Sequence, residues 1–108
     1  MVIKMKNILL VCAMGMSTSI LVNRMKEYAQ RENIAVSINA LAIQEAKAKI
    51  KNNEVDVVLL GPQVRFQKKE IEEVAKGVIP VEVIDMKDYG KMDGQSVLEH
   101  ALALLENK

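Results

Sequence analysis

Four short runs of β-branched or aliphatic residues recur along the chain: Ile8 to Val11, Val36 to Leu41, Val55 to Leu60 and Val81 to Ile84. The first, third and fourth are almost continuously apolar, as strands are when both sheet faces are covered. The second alternates. Val36, Ile38 and Ala40 share one side, opposite Ser37 and Asn39, which predicts an edge strand. Helical spacing fills the gaps. Residues 18–32 carry Leu21, Met25, Tyr28 and Ala29 on one stripe, 42–51 carry Ile43, Ala46 and Ile50, and 63–76 carry Val64, Ile71, Val74 and Ala75. A last helix presents Val97, Leu98, Ala101, Leu102 and Leu105 on one face. Ser96 and Glu99 have the spacing of a capping box for it. Strand–helix alternation with crossovers of this length implies right-handed βαβ units and a parallel sheet. The expected fold is α/β: one domain over residues 1–108, an open four-stranded parallel sheet with helices on both faces.

Composition removes several function classes. The 108 residues are 50% hydrophobic and 27% charged, enough for a core without staples and too apolar for disorder. A net charge of +1 creates no field to draw nucleic acid or acidic lipid. The three aromatics, Tyr28, Phe66 and Tyr89, make a poor base-stacking platform. The single cysteine, Cys12, excludes an intramolecular disulfide, and with the single histidine, His100, it leaves too few soft ligands for a zinc centre. No metal or cofactor is expected. No apolar run reaches the length of a membrane span, so direct membrane insertion is not expected either. Lys4 and Lys6 before the run Ile8 to Val11, with Cys12 after it, outline an export signal. The run is too short for one, and Val11 stands where a small residue is needed. The segment therefore reads as a first core strand, and the chain as cytoplasmic. Lys47, Lys49 and Lys51, like the cluster Lys68, Lys69, Glu70, Glu72 and Glu73, read as solvated helix faces. His100, inside the last helix, reads as a surface residue rather than a phosphoryl carrier.

The chemistry concentrates in Cys12-Ala13-Met14-Gly15-Met16-Ser17-Thr18-Ser19, which leaves the first strand and enters the first helix. Ligands of open parallel sheets bind outside such strand ends. Main-chain N–H groups curling into a helix N-terminus form an anion site. Gly15 allows a tight bend, and Ser17, Thr18 or Ser19 can cap the helix or donate to a bound oxygen. The loop thus reads as a phosphate-binding loop after strand 1, with a thiol at its rim. Converging donors favour the thiolate and would also stabilise a phosphoryl group in transit. The alternative is a buried structural cysteine. Low-molecular-weight tyrosine phosphatases place a cysteine, five residues and an arginine in such a loop; here Thr18 occupies the arginine position. Without a guanidinium clamp or a positioned acid/base group, hydrolysis would be slow. That suits a carrier, which must keep its phosphoryl group until an acceptor arrives.

Four motifs in order resemble a known family: the Cys12 to Ser19 loop, Asp56-Val57-Val58-Leu59-Leu60-Gly61-Pro62-Gln63, Pro80-Val81-Glu82-Val83-Ile84-Asp85, and Tyr89-Gly90-Lys91-Met92-Asp93-Gly94. The chain is similar, over nearly its whole length, to the IIB component of the lactose/cellobiose (N,N′-diacetylchitobiose) class of the bacterial sugar phosphotransferase system. The resemblance implies a four-stranded parallel sheet of the low-molecular-weight tyrosine-phosphatase type. It implies that Cys12 accepts a phosphoryl group from a histidine of a IIA protein. The group would then pass to a sugar held by a membrane-embedded IIC transporter, the family default being a β-linked disaccharide such as cellobiose or chitobiose. Residues 13–19 would cradle the group. Two other readings stay open: a phosphatase or arsenate-reductase-like thiol enzyme, and a non-catalytic anion-binding module.

Other strand ends surround the loop. Gln63 follows the third strand and either orients the loop or a partner group through its amide, or is a polar residue at a helix start. Asp85, Asp88 and Asp93 would repel a phosphoryl group and read as caps and turn residues. Tyr89 either walls the site or packs on the last helix. Met14, Met16, Met86 and Met92 all fall at this edge. A soft methionine rim could repack against two partners that use the same cysteine in turn.

Overall fold

The computed structural model describes residues 5–12 and 17–106. Among these, ten elements follow one another: β1 (Lys6–Val11), α1 (Ser17–Arg31), β2 (Val36–Leu41), α2 (Ile43–Lys51), β3 (Val57–Leu60), a 3₁₀ segment (Pro62–Gln67), α3 (Lys68–Ala75), β4 (Val81–Val83), α4 (Met86–Gly90) and α5 (Gly94–Glu106). The strands form one parallel sheet in the order β2-β1-β3-β4, so β2 is an edge, as its alternation predicts.

Each sheet face has its own core. Period-two geometry sends Ile8, Leu10, Val57 and Leu59 to one side, against Leu21 and Met25 of α1 and Val97, Leu98 and Ala101 of α5. Leu9, Val11, Val58 and Leu60 go to the other, against Ala46 and Ile50 of α2 and Ile71 and Ala75 of α3. Burial on both faces is why β1 and β3 carry no polar alternation.

Three expectations are corrected. The third strand begins at Val57 rather than Val55, because the Asp56 carboxylate accepts the Asn7 N–H at 2.7 Å and the Asp56 N–H goes to the Asn7 carbonyl at 2.8 Å. The helix expected over 63–76 is broken. Pro62 opens a 3₁₀ turn, Val64 leaves helical geometry at φ −118°, and a regular helix starts only at Lys68. The Ser96–Glu99 capping box does not form. Asp93 stands before α5 and accepts the Ser96 N–H at 3.0 Å and its hydroxyl at 2.8 Å, while Glu99 accepts the Tyr28 hydroxyl. The short helix α4 was not anticipated. The lysine-rich and mixed-charge faces are mostly solvent-facing, although Lys47 pairs with Glu70 between α2 and α3.

Helix α5 begins where α1 passes closest. A Cβ on Gly94 would lie 2.6 Å from both the Arg24 carbonyl carbon and the Met25 nitrogen, main-chain atoms that cannot step aside. Gly94→Ala should therefore push α5 off α1 and destabilise the fold by about 1–3 kcal/mol. Urea unfolding will measure this; an unchanged midpoint would mean the two helices have slack between them.

Candidate functional site

The sheet order creates the site. From β1 the chain crosses by α1 on one face to β2, then by α2 on the other face to β3. Crossovers diverging to opposite faces open a crevice beyond the carboxyl ends of β1 and β3, where Val11 pairs with Leu41 on one side and Leu60 on the other. Cys12 is the first residue past that row. Its N–H donates to the Leu41 carbonyl at 3.3 Å, which extends the ladder by one bond and fixes the backbone under the thiol. Cys12 is half-buried, neither sealed in the core nor fully exposed.

Gly61 forms the opposite wall. Its N–H donates to the Val11 carbonyl at 2.8 Å. A Cβ on Gly61 would lie 3.8 Å from the Cys12 Cβ. The β3 exit is thus held directly beside the cysteine.

The loop from Ala13 through Gly15 to Met16 lies outside the described residues, with Met14 in it, as does the Ser17 side chain. Beyond it α1 starts at Ser17 with no acidic residue in its first turn. That leaves the positive end of the helix dipole unopposed by a carboxylate of its own. Thr18 is buried, 3% exposed, and Ser19 faces solvent.

Thr18, Gln63 and Tyr89 meet. The Thr18 Oγ1 is 3.2 Å from the Tyr89 hydroxyl, and Gln63 donates from Nε2 to the same hydroxyl at 3.1 Å. Tyr89 is both packing and polar. Its ring belongs to the core shared by α1 and α5, while its oxygen emerges beside the site. Gln63 lies in the first turn of the 3₁₀ segment and its amide donates to the Tyr89 hydroxyl.

The aspartates face elsewhere. Asp85 caps α4, accepting from the Lys87 and Asp88 N–H groups at 2.8 and 3.4 Å. Asp93 caps α5. His100 is exposed on α5. Of the methionine rim, Met86 is exposed, whereas Met92 packs against the core from a left-handed turn at φ 51° and is core filling. Met14 and Met16 are outside the described residues. Sequence reading missed Ile20 and Phe66, which join Met86 as exposed apolar residues, at 49%, 76% and 62% exposure for Ile20, Phe66 and Met86. All three lie just past the Cys12 edge of the sheet, in the first turn of α1, the 3₁₀ segment and the start of α4.

Known proteins match this chain along its length. A family model described as "PTS system, Lactose/Cellobiose specific IIB subunit" matches residues 7–100. The "PTS system oligo-beta-mannoside-specific EIIB component" of Bacillus subtilis (strain 168) is 48% identical over 105 residues, 96% of this chain and 100% of that protein. The "PTS system galactose-specific EIIB component" of Lactococcus lactis subsp. cremoris (strain MG1363) is 41% identical over 104 residues, 93% of this chain and 96% of that one. A solution structure of the cellobiose-specific phosphotransferase IIB component from Borrelia burgdorferi superposes with a TM-score of 0.81 at 46% identity, covering 97% of this chain and 95% of that one.

The Asp93 cap has a pH signature. Its bond from the Ser96 N–H, then the one from the Ser96 hydroxyl, hold the carboxyl below its ordinary value. A lowered folded-state value means the stabilisation is complete above the unfolded value of about 3.9 and is lost as pH falls through the lower folded one. The stability gap between wild type and Asp93→Asn should therefore be level at neutral pH and narrow below about pH 4. Thermal melts from pH 7 to pH 2 will check it; a gap that stays constant would remove the carboxylate from the account.

Proposed function

The chain belongs to the lactose/cellobiose-specific IIB family of the sugar phosphotransferase system and is a phosphotransferase component, and we propose that Cys12 is its phosphoryl carrier. The carrying observation is a half-buried thiol at the switch point of the sheet, beside Gly61. Residues 13–19 supply the main-chain and hydroxyl donors around the transferred group.

Two displacements regenerate the thiol. In the first, the Cys12 Sγ attacks phosphorus on a phosphohistidine of the IIA protein. An S–P bond forms, the P–N bond breaks, the electron pair leaves on the imidazole nitrogen, and the thiol proton ends there. In the second, a hydroxyl of a sugar held by the IIC transporter attacks the same phosphorus. An O–P bond forms, the S–P bond breaks with its pair returning to sulfur, and the hydroxyl proton restores the thiol. The names of the relatives point to oligo-β-mannoside, galactose and cellobiose systems, and the substrate class proposed is a β-linked disaccharide such as cellobiose or chitobiose. Acceptor and donor meet the protein at the cytoplasmic face of the membrane. No helix among the described residues is long and apolar enough to cross it.

Family membership and the absence of an arginine at position 18 favour this reading over a phosphatase, a reductase or a passive anion binder. Ile20, Phe66 and Met86 form the docking rim in this reading. Donor and acceptor must both approach Cys12, and an apolar rim that is not committed to a rigid charge pattern suits two partners.

Mixing the protein with a histidine-phosphorylated IIA protein of a lactose/cellobiose-class system should add one phosphoryl group, mapped to Cys12 by intact-mass and peptide mass spectrometry. Cys12→Ser should abolish the adduct while changing stability by less than about 1.5 kcal/mol, as near-isosteric replacements do. Labelling elsewhere, or release of free phosphate without an adduct, would end the carrier reading. For the rim, Phe66→Ser and Met86→Ser should each raise the KM for phosphorylated IIA about tenfold, the effect of losing an interface anchor. The saturating rate should hold; an unchanged KM in both variants would move docking to another face.

A further inference from the structure

Among the described residues the hydroxyl of Tyr89 has two polar neighbours, and it carries one proton. Gln63 Nε2, at 3.1 Å, can only donate, so the phenol oxygen accepts there. Thr18 Oγ1 lies 3.2 Å from the same oxygen, and either hydroxyl can be the donor of that contact. Where the phenol donates, Thr18 keeps its own hydroxyl proton for a further acceptor. Thr18 sits in the first turn of α1, six residues after Cys12 in the chain. In that arrangement the three side chains form a row of donors, Gln63 to Tyr89 to Thr18, in which each bond polarises the next.

The backbone makes room for the row. A Cβ on Gly61 would meet the Gln63 Oε1 at 2.9 Å, while its next contacts, 3.7 Å to the Val11 carbonyl and 3.8 Å to the Cys12 Cβ, are ordinary. At φ −63° and ψ 151° alanine is conformationally acceptable there. The glycine is therefore needed for the folded-back pose of Gln63, not for the turn.

We propose that Gln63 is a positioning residue for phosphoryl transfer: it orients the Tyr89 hydroxyl so that Thr18 donates, rather than accepts, toward a phosphoryl oxygen on Cys12. This rests on the carrier reading above. Glutamate at 63 tests it, because a carboxylate accepts from Tyr89 and turns the whole row around with no change in size.

The measurement is single-turnover transfer from the histidine-phosphorylated IIA protein to Cys12, across a range of IIA concentrations. Gln63→Glu, Gln63→Leu and Gly61→Ala should each lower the saturating rate about tenfold, with the KM for IIA and the melting temperature unchanged. In a Tyr89→Phe background Gln63→Glu should cost nothing more, since the row is already cut. Saturating rates equal to wild type would overturn the proposal. So would an effect confined to KM, which would make exposed Gln63 a partner contact, or full additivity with Tyr89→Phe. A wild-type protein that takes up no phosphoryl group fails the carrier reading itself; wild-type labelling with unaffected variants fails only the role given to Gln63.

Discussion

Main-chain bonds on both sides of the end of β1 are the constraint from which the site follows. Val11 is fully buried, its carbonyl is taken by the Gly61 N–H, and the next N–H along the chain, that of Cys12, is taken by the Leu41 carbonyl. A cysteine anchored through its own backbone to one neighbouring strand, and through its predecessor to the other, cannot drift. Its side chain nevertheless stands beyond the last core layer. A phosphoryl carrier needs that combination. The nucleophile must hold its position without a bound substrate to organise it, yet stay open to partners that arrive in turn. A thiol on a free loop would lose the first property and a core thiol the second.

The helices placed by this sheet divide the work. Helix α1 begins with no carboxylate in its first turn, while Asp85 and Asp93 are turned to capping. Asp85 accepts two N–H groups of α4 and Asp93 accepts the Ser96 N–H and hydroxyl of α5, so each carboxylate has partners in the helix it begins. Tyr89 lies between these two caps. Its backbone is tied to Asp85 and Met92 by the α4 turn, and its ring is sunk against α1 and α5. The phenol oxygen is therefore fixed by packing before any polar partner is considered.

How much of this is legible in the chain depends on the range of the interaction. Val36 to Leu41 declares itself an edge strand, because one side of the alternation is polar and only one face is buried. Ile8 to Val11 and Val57 to Leu60 declare themselves interior strands by lacking polar positions. Cys12 is readable as a candidate nucleophile because a single thiol sits between a strand and a Gly/Ser-rich helix entry. The misreadings are local competitions won by a neighbour. Ser96 and Glu99 have capping-box spacing, but the Asp93 carboxylate reaches the Ser96 N–H first. Val64, Ile71 and Ala75 keep a helical period across a real break, since a 3₁₀ turn followed by a helix buries the same side. Helix α4 is too short for periodicity to register, and only its Asp85 cap could have announced it. Met92 looked like Met86 in composition, yet a left-handed backbone turns one into the core and leaves the other in solvent.

The contact between Thr18 and Tyr89 spans 71 residues, and no local pattern encodes it. It exists because α1 and α4 are brought to the same sheet edge by different crossovers, and because Gly94 lets α5 draw the intervening turn against α1. The polar environment of the site is therefore a product of apolar packing on one sheet face. Residues such as Met25, Leu98 and Gly94 never approach the thiol, but the distance between the phenol oxygen and the first turn of α1 is set by how closely those helices meet. The opposite face contributes through β3 and the 3₁₀ turn, which carry Gly61 and Gln63. Two separate cores thus converge on a single tyrosine hydroxyl, and a disturbance of either one reaches Thr18 at the start of α1 through it.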